Sequence, residues 1–404
     1  MGAAALTLIL TKARIPHMNQ WPGKYVIGLT GNIATGKSVV RKMLEHLGAF
    51  GIDADGLSHQ AMGKGGPAYA QVVQTFGQFI LGEDEQIDRQ ALGNIVFASP
   101  KALAKLEAII HPIVRQAVNI LAARAKQPVI VIEAIKLLEG DLAGLCDSVW
   151  VVNVPEELQV VRLMQKRGLT VEQARLRIAA QSPQAEKLAK ATVVVQNTGS
   201  FEETWSQVQG AWNQLVPTAQ KQRVEEAEAA PKVAATPRTG TAPAVTIRKG
   251  KPADAAAIAS FINQTAKSSL TRSDIMALFG QKAFVLAQVN DALGALAGWQ
   301  VENLVTRVDD FHLLNNVPPD IVIRPMLDTI ESASQELQSE AAFVFVLPDL
   351  GSGAKGVFAG AGYEPITAES INITAWREAV KESQPPGTMA LFKKLREDRV
   401  LRPV

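Results

Sequence analysis

The first two hundred residues alternate between short apolar runs and longer segments in which apolar positions recur every three or four residues. Runs at 25–29, 49–52, 129–132, 149–154 and 192–195 are nearly continuous in apolar side chains. Runs of that kind suit strands buried on both faces of a parallel sheet. Helical periodicity fills the gaps at 37–47, 68–76, 89–96, 100–125, 155–166, 171–181 and 201–215. The alternation predicts a three-layer α/β unit, a doubly wound parallel sheet with helices on both faces and its ligand at the carboxyl ends of the strands.

Beyond residue 215 this pattern lapses. From 216 to 244 Ala, Pro, Thr, Gly, Lys and Glu dominate without an apolar face. That composition predicts a linker whose charged front half could prolong the preceding helix. A second region follows, with strands expected at 245–248, 283–286, 292–301, 309–314 and 342–347 and helices at 254–262 and 324–338. The expected organisation is an extension at 1–23, an α/β unit at 24–215, the linker at 216–244 and a second, α+β unit at 245–404, in keeping with a length of 404 residues. Met18 lies just ahead of the first strand, so residues 1–17 are expected to be an upstream extension outside the fold.

The most specific chemistry lies at the first strand. Tyr25 to Val40 read YVIGLTGNIATGKSVV, placing Gly31-x-x-x-x-Gly36-Lys37-Ser38 between a strand and a helix. Backbone N–H groups of such a loop, from Asn32 through Ile33, Ala34, Thr35, Gly36, Lys37 and Ser38 to Val39, can cradle the phosphates of ATP. Lys37 can reach the outer phosphates, and Ser38 can hold Mg²⁺. The plainer alternative is a Gly-rich turn with a solvated lysine.

Two carboxylates, Asp53 and Asp55, close the second strand on the same sheet edge. Asp53 fits a catalytic task, orienting or deprotonating an attacking hydroxyl. Asp55 reads equally as a substrate contact or as the cap of a helix opening at Gly56. His59 reads as a helix-face residue or a substrate contact. Residues 155–180 carry Arg162, Lys166, Arg167, Arg175 and Arg177, enough charge for a helical lid that closes over phosphates. Each is also an ordinary solvated cation, and Arg162 is the one assigned to catalysis.

Composition narrows the setting. Hydrophobic residues make up 47% and charged ones 20%, as in globular proteins. A formal net charge of +2 points to no nucleic-acid partner, and no apolar run approaches the ~20 residues that span a bilayer. The apolar start of the chain lacks a basic region before it, which argues against a signal peptide. The single cysteine, Cys146, suits a reducing cytoplasm and reads as a small buried apolar residue.

Seven ordered segments over about 190 residues carry a family resemblance. They are Gly28-Leu29-Thr30-Gly31, Asp53-Ala54-Asp55, Gly65-Gly66-Pro67-Ala68, Phe76-Gly77 with Ile87-Asp88-Arg89 and Val96-Phe97, Ile110-His111-Pro112, Ala179-Ala180-Gln181, and Asn197-Thr198-Gly199-Ser200. The region resembles the dephospho-coenzyme A kinases. The resemblance implies a P-loop NTPase domain with a helical lid that phosphorylates the 3′-hydroxyl of dephospho-CoA from Mg²⁺-ATP, with His111 on the substrate side. Departures stand at Asn32 and Ala34, where the family usually has Gly, and at Lys166-Arg167, where it has Arg-Asp. A further departure is Glu133-Ala134-Ile135-Lys136-Leu137-Leu138-Glu139, where an Asp is normally followed by Pro-Leu-Leu, an aromatic and Glu. Glu133 is expected to replace that Asp as a carboxylate on the Mg²⁺ side, and the missing proline leaves the substrate-side turn open.

The second region is similar to the GNAT acetyltransferases in the order of its elements and in Gly362-Tyr363-Glu364. That family binds acyl-CoA pyrophosphate on a glycine-bearing turn at a helix start. The matching stretch here, Pro318 to Leu327, has no glycine, and Pro319 has no N–H to donate. The expectation is an acetyltransferase-like fold that binds or assembles rather than catalyses. Two other readings of the whole chain remain, a P-loop kinase for another small hydroxyl or nucleotide, and a non-catalytic CoA-binding regulatory protein. A screen of acceptors separates the first, and ligand binding without ATP turnover would mark the second.

Overall fold

A computed structural model describes residues 20–229, 244–266, 268–348 and 352–397. The expected extension at 1–17 and the rear half of the linker lie outside the described residues. The chain divides into two compact units, one reaching Glu228 and the other running from Ala229 to Arg399.

In the first unit β1 (Tyr25–Thr30) leads through the Gly-rich loop into α1 (Lys37–His46), then β2 (Phe50–Asp53) and α2 (Ala54–Met62). Three more helices, α3 (Tyr69–Phe76), α4 (Arg89–Ala98) and α5 (Pro100–Arg124), precede β3 (Val129–Glu133) and β4 (Ser148–Asn153). A helical pair, α6 (Glu156–Arg167) and α7 (Val171–Ala179), and the short α8 (Gln184–Ala189) lead to β5 (Val193–Gln196), α9 (Phe201–Leu215) and α10 (Thr218–Ala229). The strands form one parallel sheet in the order β2-β3-β1-β4-β5. All five residues of β3 are buried, as its unbroken apolar run predicts. Against one face Val40, Met43 and Leu44 of α1 meet Val208, Ala211 and Trp212 of α9 over Ile27, Leu29, Val131 and Val152.

Two local departures matter. Helix α2 has weak apolar periodicity and is anticipated only through a capping aspartate; it starts because the Asp53 carboxylate accepts a hydrogen bond from the Gly56 N–H at 2.8 Å. The cap is therefore Asp53, not Asp55, because the residue with extended backbone geometry is the one that closes β2. The front of the expected linker is α10. Its Val224 is buried in the core, and Arg223 donates to the Gly23 carbonyl at 3.0 Å, so the packed unit extends past Leu215. At the other end Trp21 is buried, so residues 20–23 already belong to the packed unit.

The second unit is built on a mixed sheet in the order β11-β12-β10-β9-β8-β7-β6. Strands β6 (Val245–Lys249), β7 (Ala283–Val289), β8 (Ala292–Glu302) and β9 (Val305–Leu313) form an antiparallel run, each pairing with the next. Helices α11 (Ala255–Ala266) and α12 (Arg272–Phe279) lie between β6 and β7 in sequence. Helix α13 (Pro319–Glu336) joins β9 to β10 (Ala341–Val346), and those two strands pair in parallel. Then come α14 (Ser352–Gly360), β11 (Glu364–Ile366), α15 (Thr374–Ser383) and β12 (Met389–Lys394). Val322, Met326 and Ile330 of α13 pack with Phe358 of α14 in one core cluster, while Trp376 and Val380 of α15 pack with Phe343 and Phe345 in another. Helix α13 starts five residues before the expected 324, because proline is tolerated in a first helical turn, where its missing N–H would have no partner.

Candidate active site

The loop between β1 and α1 takes a conformation that the residue types dictate. Gly36 caps α1 in the left-handed region, at φ 89°, and a Cβ there would lie 2.2 Å from the Asn197 side-chain nitrogen. At Gly31 a Cβ would lie 2.5 Å from the Val152 carbonyl oxygen. Ala34 holds φ 61° despite its side chain.

The loop's amides fall into two sets. The Asn32 N–H donates to the Gln184 side-chain oxygen at 3.1 Å, and the Ile33 N–H to that of Gln181 at 2.8 Å. Thr35 N–H turns back to the Asn32 carbonyl, and Val39 N–H to that of Gly36. Among the described residues the N–H groups of Ala34, Gly36, Lys37 and Ser38 have no acceptor. Four open donors at the positive end of a helix form an anion cradle. Lys37 adds a buried ammonium beside it, with Nζ donating to the Asn32 carbonyl at 3.3 Å. Burial lowers its pKa; Glu133, Asp55 and Asp53 pull against that, and Arg167 adds to the lowering.

Three carboxylates face this lysine from the ends of β2 and β3. Asp53 and Glu133 sit side by side in the parallel register. Glu133 is buried, and its Oε1 accepts from the Ser38 hydroxyl at 3.1 Å. Asp55 accepts from the Ile135 N–H at 3.0 Å, and burial, with help from Asp53 and Glu133 and against Lys37, pushes its carboxyl up to about 6. The turn that the missing proline left open is thus put to use, since Ile135 supplies an N–H that proline would lack. The Ile135 carbonyl in turn accepts from Thr30 Oγ1 at 3.1 Å and from Lys187 Nζ at 2.6 Å. Lys187 is 1% exposed; burial lowers its pKa, Glu139 opposes this and Lys37 adds to it.

The lid is anchored to the loop at both of its ends. Val160 and Leu163 of α6 and Ala174 and Ile178 of α7 pack with Ile33 and Ala34. Arg162 donates to the carbonyls of Ala34, Thr35 and Asn197, at 3.3, 3.4 and 2.8 Å. Asn197 also donates to the Thr35 carbonyl at 2.9 Å, so the turn after β5 braces the loop from outside. Arg167, exposed at the end of α6, is the lid cation whose charge is felt at both Lys37 and His59. The His59 ring is partly shielded although the residue as a whole is exposed. That shielding, and then repulsion from Arg89 and Arg167, pushes its pKa down to about 4.

The structure therefore brings Lys37, Ser38, Asp53, Asp55 and Glu133 together, with Arg162 holding the loop and His59 at the rim. His111 is exposed on α5 and shares no hydrogen bond with them. Sequence reasoning missed Arg41, Gln184 and Lys187. Arg41 had a signal, a cation three residues after Ser38 and four before Glu45 on a helix; Lys187, on a short helix, had none. Cys146 is buried, as expected, with burial and Asp147 pushing its thiol up to about 12.

Residues 25–203 match the family model described as dephospho-CoA kinase. The dephospho-CoA kinase of Geobacter sulfurreducens is 43% identical over 195 residues, which cover 48% of this chain and 99% of that relative. A solved dephospho-CoA kinase from Campylobacter jejuni is 29% identical over 48% of this chain and 97% of its own, with a TM-score of 0.36. A GNAT-family acetyltransferase from Staphylococcus aureus is 12% identical over 38% of this chain and all of its own, with a TM-score of 0.30. With identity of this order across nearly the whole of a relative, and an open anion cradle at the matching loop, the chain belongs to the dephospho-CoA kinase family.

Proposed function

We propose that the first unit transfers the γ-phosphoryl group of ATP to the 3′-hydroxyl of dephospho-CoA at the cradle between β1 and α1. The observation that carries this reading is the set of four unpartnered N–H groups beside buried Lys37. Those amides and Lys37 take up negative charge on the β- and γ-phosphates, which is most of what phosphoryl transfer asks of a protein. An O–P bond forms at the ribose hydroxyl, the bond to the ADP oxygen breaks, and the hydroxyl proton passes to a carboxylate.

Asp53 is suited to orient that hydroxyl and take its proton, although one of its oxygens also caps α2. Asp55 is a second candidate for the proton, because its carboxyl is pushed up to about 6. His59 and His111 are proposed contacts to dephospho-CoA, His59 as a neutral imidazole. Arg162 braces the loop that binds nucleotide, and Arg167 is the proposed lid cation over the γ-phosphate.

No cluster of three His, Cys, Asp or Glu side chains that could hold a metal occurs among the described residues. The Ser38 hydroxyl and the Glu133 carboxylate are hard oxygen ligands of the kind Mg²⁺ takes when it stays partly hydrated and shared with phosphates. They fit the ion, and Ser38 and Glu133 would hold it beside the phosphates. Bound there, Mg²⁺ would neutralise charge on the phosphates.

For the second unit we infer a GNAT-type fold with a binding or assembly role. Support comes from its element order and from a helix start at Pro318 and Pro319, two residues that have no N–H to donate. The proposed boundaries are those read from sequence, save that the first unit takes in residues 20–23 and runs on through α10.

ADP release by the full-length protein with Mg²⁺-ATP and dephospho-CoA tests the reading. Turnover should require the acceptor and fall at least ~100-fold in Lys37→Ala and in Asp53→Asn. Nucleotide binding without acceptor-dependent turnover would sink it.

A further inference from the structure

Behind the phosphate loop lies a row of buried charges, of which the mechanism above leaves Arg41, Lys42 and Glu45 unused. Arg41, on α1, is 5% exposed. Its Nε donates to Glu133 Oε2 at 2.7 Å and its Nη1 to Glu45 Oε1 at 2.7 Å, while Lys42 Nζ reaches the other Glu45 oxygen at 2.9 Å. Glu133 turns its remaining oxygen to the Ser38 hydroxyl at 3.1 Å. One continuous relay thus runs from Lys42 through Glu45, Arg41 and Glu133 to Ser38. Strand β2 makes room for it, since a Cβ on Gly51 would lie 2.1 Å from Glu45 Oε1 and 3.1 Å from Arg41 Cδ.

Stability alone does not account for such a row. Buried ion pairs are often no better than an apolar set of the same volume, because desolvation offsets the attraction. What the row does achieve is geometric. Glu133 is a long, flexible side chain on the last residue of β3, and one fixed oxygen leaves the other a single place to point. Arg is the right partner for this, because its planar fork spans two carboxylates at set angles, which a lysine ammonium cannot do.

We propose that Arg41 is a positioning residue for phosphoryl transfer: it clamps Glu133 Oε2 so that Oε1 is held at the Ser38 hydroxyl, presetting the two oxygens that meet a nucleotide-bound divalent cation. The inference rests on the reading of Ser38 and Glu133 given above. Glu45 acts one step further back, by holding Arg41.

The test is equilibrium binding of a fluorescent ADP analogue to the full-length protein, with Mg²⁺ and with EDTA, in Glu133→Gln, in Arg41→Met combined with Glu45→Gln, and in Arg41→Lys. The double substitution removes one cation and one anion together. Groups that orient a metal ligand typically affect metal affinity by about 10- to 100-fold, so the Mg²⁺-dependent gain in binding should fall about 10-fold in the double variant and recover in part in Arg41→Lys. Binding in EDTA should stay within about twofold, a split that a merely structural role would not produce. A folded double variant that keeps the full Mg²⁺ gain overturns the role of Arg41. If Glu133→Gln also keeps it, the underlying reading of the site fails; if Glu133→Gln loses it, only the inference about Arg41 fails. Should the double variant not fold, Glu45→Gln alone carries the test, with about threefold loss of the gain expected and no loss overturning the inference.

Discussion

Each unit presents the start of a long helix beyond the end of a strand, and the two starts are chemical opposites. Helix α1 opens on a left-handed glycine, has no acidic residue in its first turn and leaves four amides without acceptors. Helix α13 opens on Pro318 and Pro319, which have no N–H, and carries Asp320 in its first turn. Both helices have the same macrodipole, worth about half a charge at the N-terminus. The difference teaches that a helix dipole does not make an anion site. What makes one is the number of open amides, the cation beside them and the absence of a carboxylate in the helix's own first turn.

The largest effect is expected from closing the cradle of α1. Gly36→Ala places a Cβ 2.2 Å from the Asn197 side chain and forces a left-handed conformation on an L-residue. Asn197 would have to leave the Thr35 carbonyl, and the loop would lose its brace. Acceptor-dependent kcat/KM should fall at least ~100-fold, as for loss of a charge-stabilising donor, with stability lower by about 1–2 kcal/mol for the strained backbone. Steady-state kinetics together with thermal unfolding would check both. Near-normal turnover in Gly36→Ala would erase the contrast between the two helix starts.

Much of this contrast is legible without coordinates, and what is not has identifiable reasons. The parallel sheet shows in its apolar runs, because strands buried on both faces need no polar alternation. The loop shows because glycine, lysine and serine stand at fixed spacing, and Pro319 shows because its missing N–H is a property of the residue. Which aspartate caps α2 does not show, since Asp53 and Asp55 are equally good caps and only the backbone geometry at Asp53 decides. Lys187 is hidden for another reason: it meets Ile135 from 52 residues away, and no local pattern marks a buried lysine. Arg167 could be named among five lid cations but not singled out, because the choice depends on which face of α6 points to Lys37.

A middle-sized effect should come from the carboxylates that face the α1 cradle, a feature that sharpens the contrast with α13. The Asp55 carboxyl rises from 3.8 to about 6 on folding, chiefly by burial. Between pH ~4 and ~6 the folded state therefore binds a proton that the unfolded state does not, so this group's contribution to stability falls as pH rises through that window. Above pH 6 the buried charge is a standing cost of up to ~3 kcal/mol. Asp55→Asn should accordingly raise stability at pH 7 by about 1–3 kcal/mol, with the gain vanishing below pH ~4. Denaturant unfolding across pH would show it. The same variant separates the two candidate proton acceptors. If Asp55 takes the proton, kcat/KM of the wild-type protein falls below pH ~6 and Asp55→Asn both loses that limb and slows turnover. If the limb survives in Asp55→Asn, Asp53 is the acceptor.

The smallest effect is expected from trying to convert the other helix start. Pro319→Gly restores one N–H to α13 but leaves Pro318 before it and the Asp320 carboxylate beside it. Proline at the first helical position is preorganised, and glycine widens the unfolded ensemble, so the second unit should lose about 1 kcal/mol of stability. Kinase kcat/KM should stay within about twofold, because no residue of the proposed phosphoryl-transfer site has changed. Calorimetric titration with acetyl-CoA should show no gain in affinity, since one more amide in a first turn that carries Asp320 lacks the charge balance of the α1 cradle. Acquired acetyl-CoA binding in Pro319→Gly would mean that the proline alone had closed the site. The second unit would then be a cofactor fold one substitution away from function, and the number of open amides would outweigh both the neighbouring cation and the resident carboxylate.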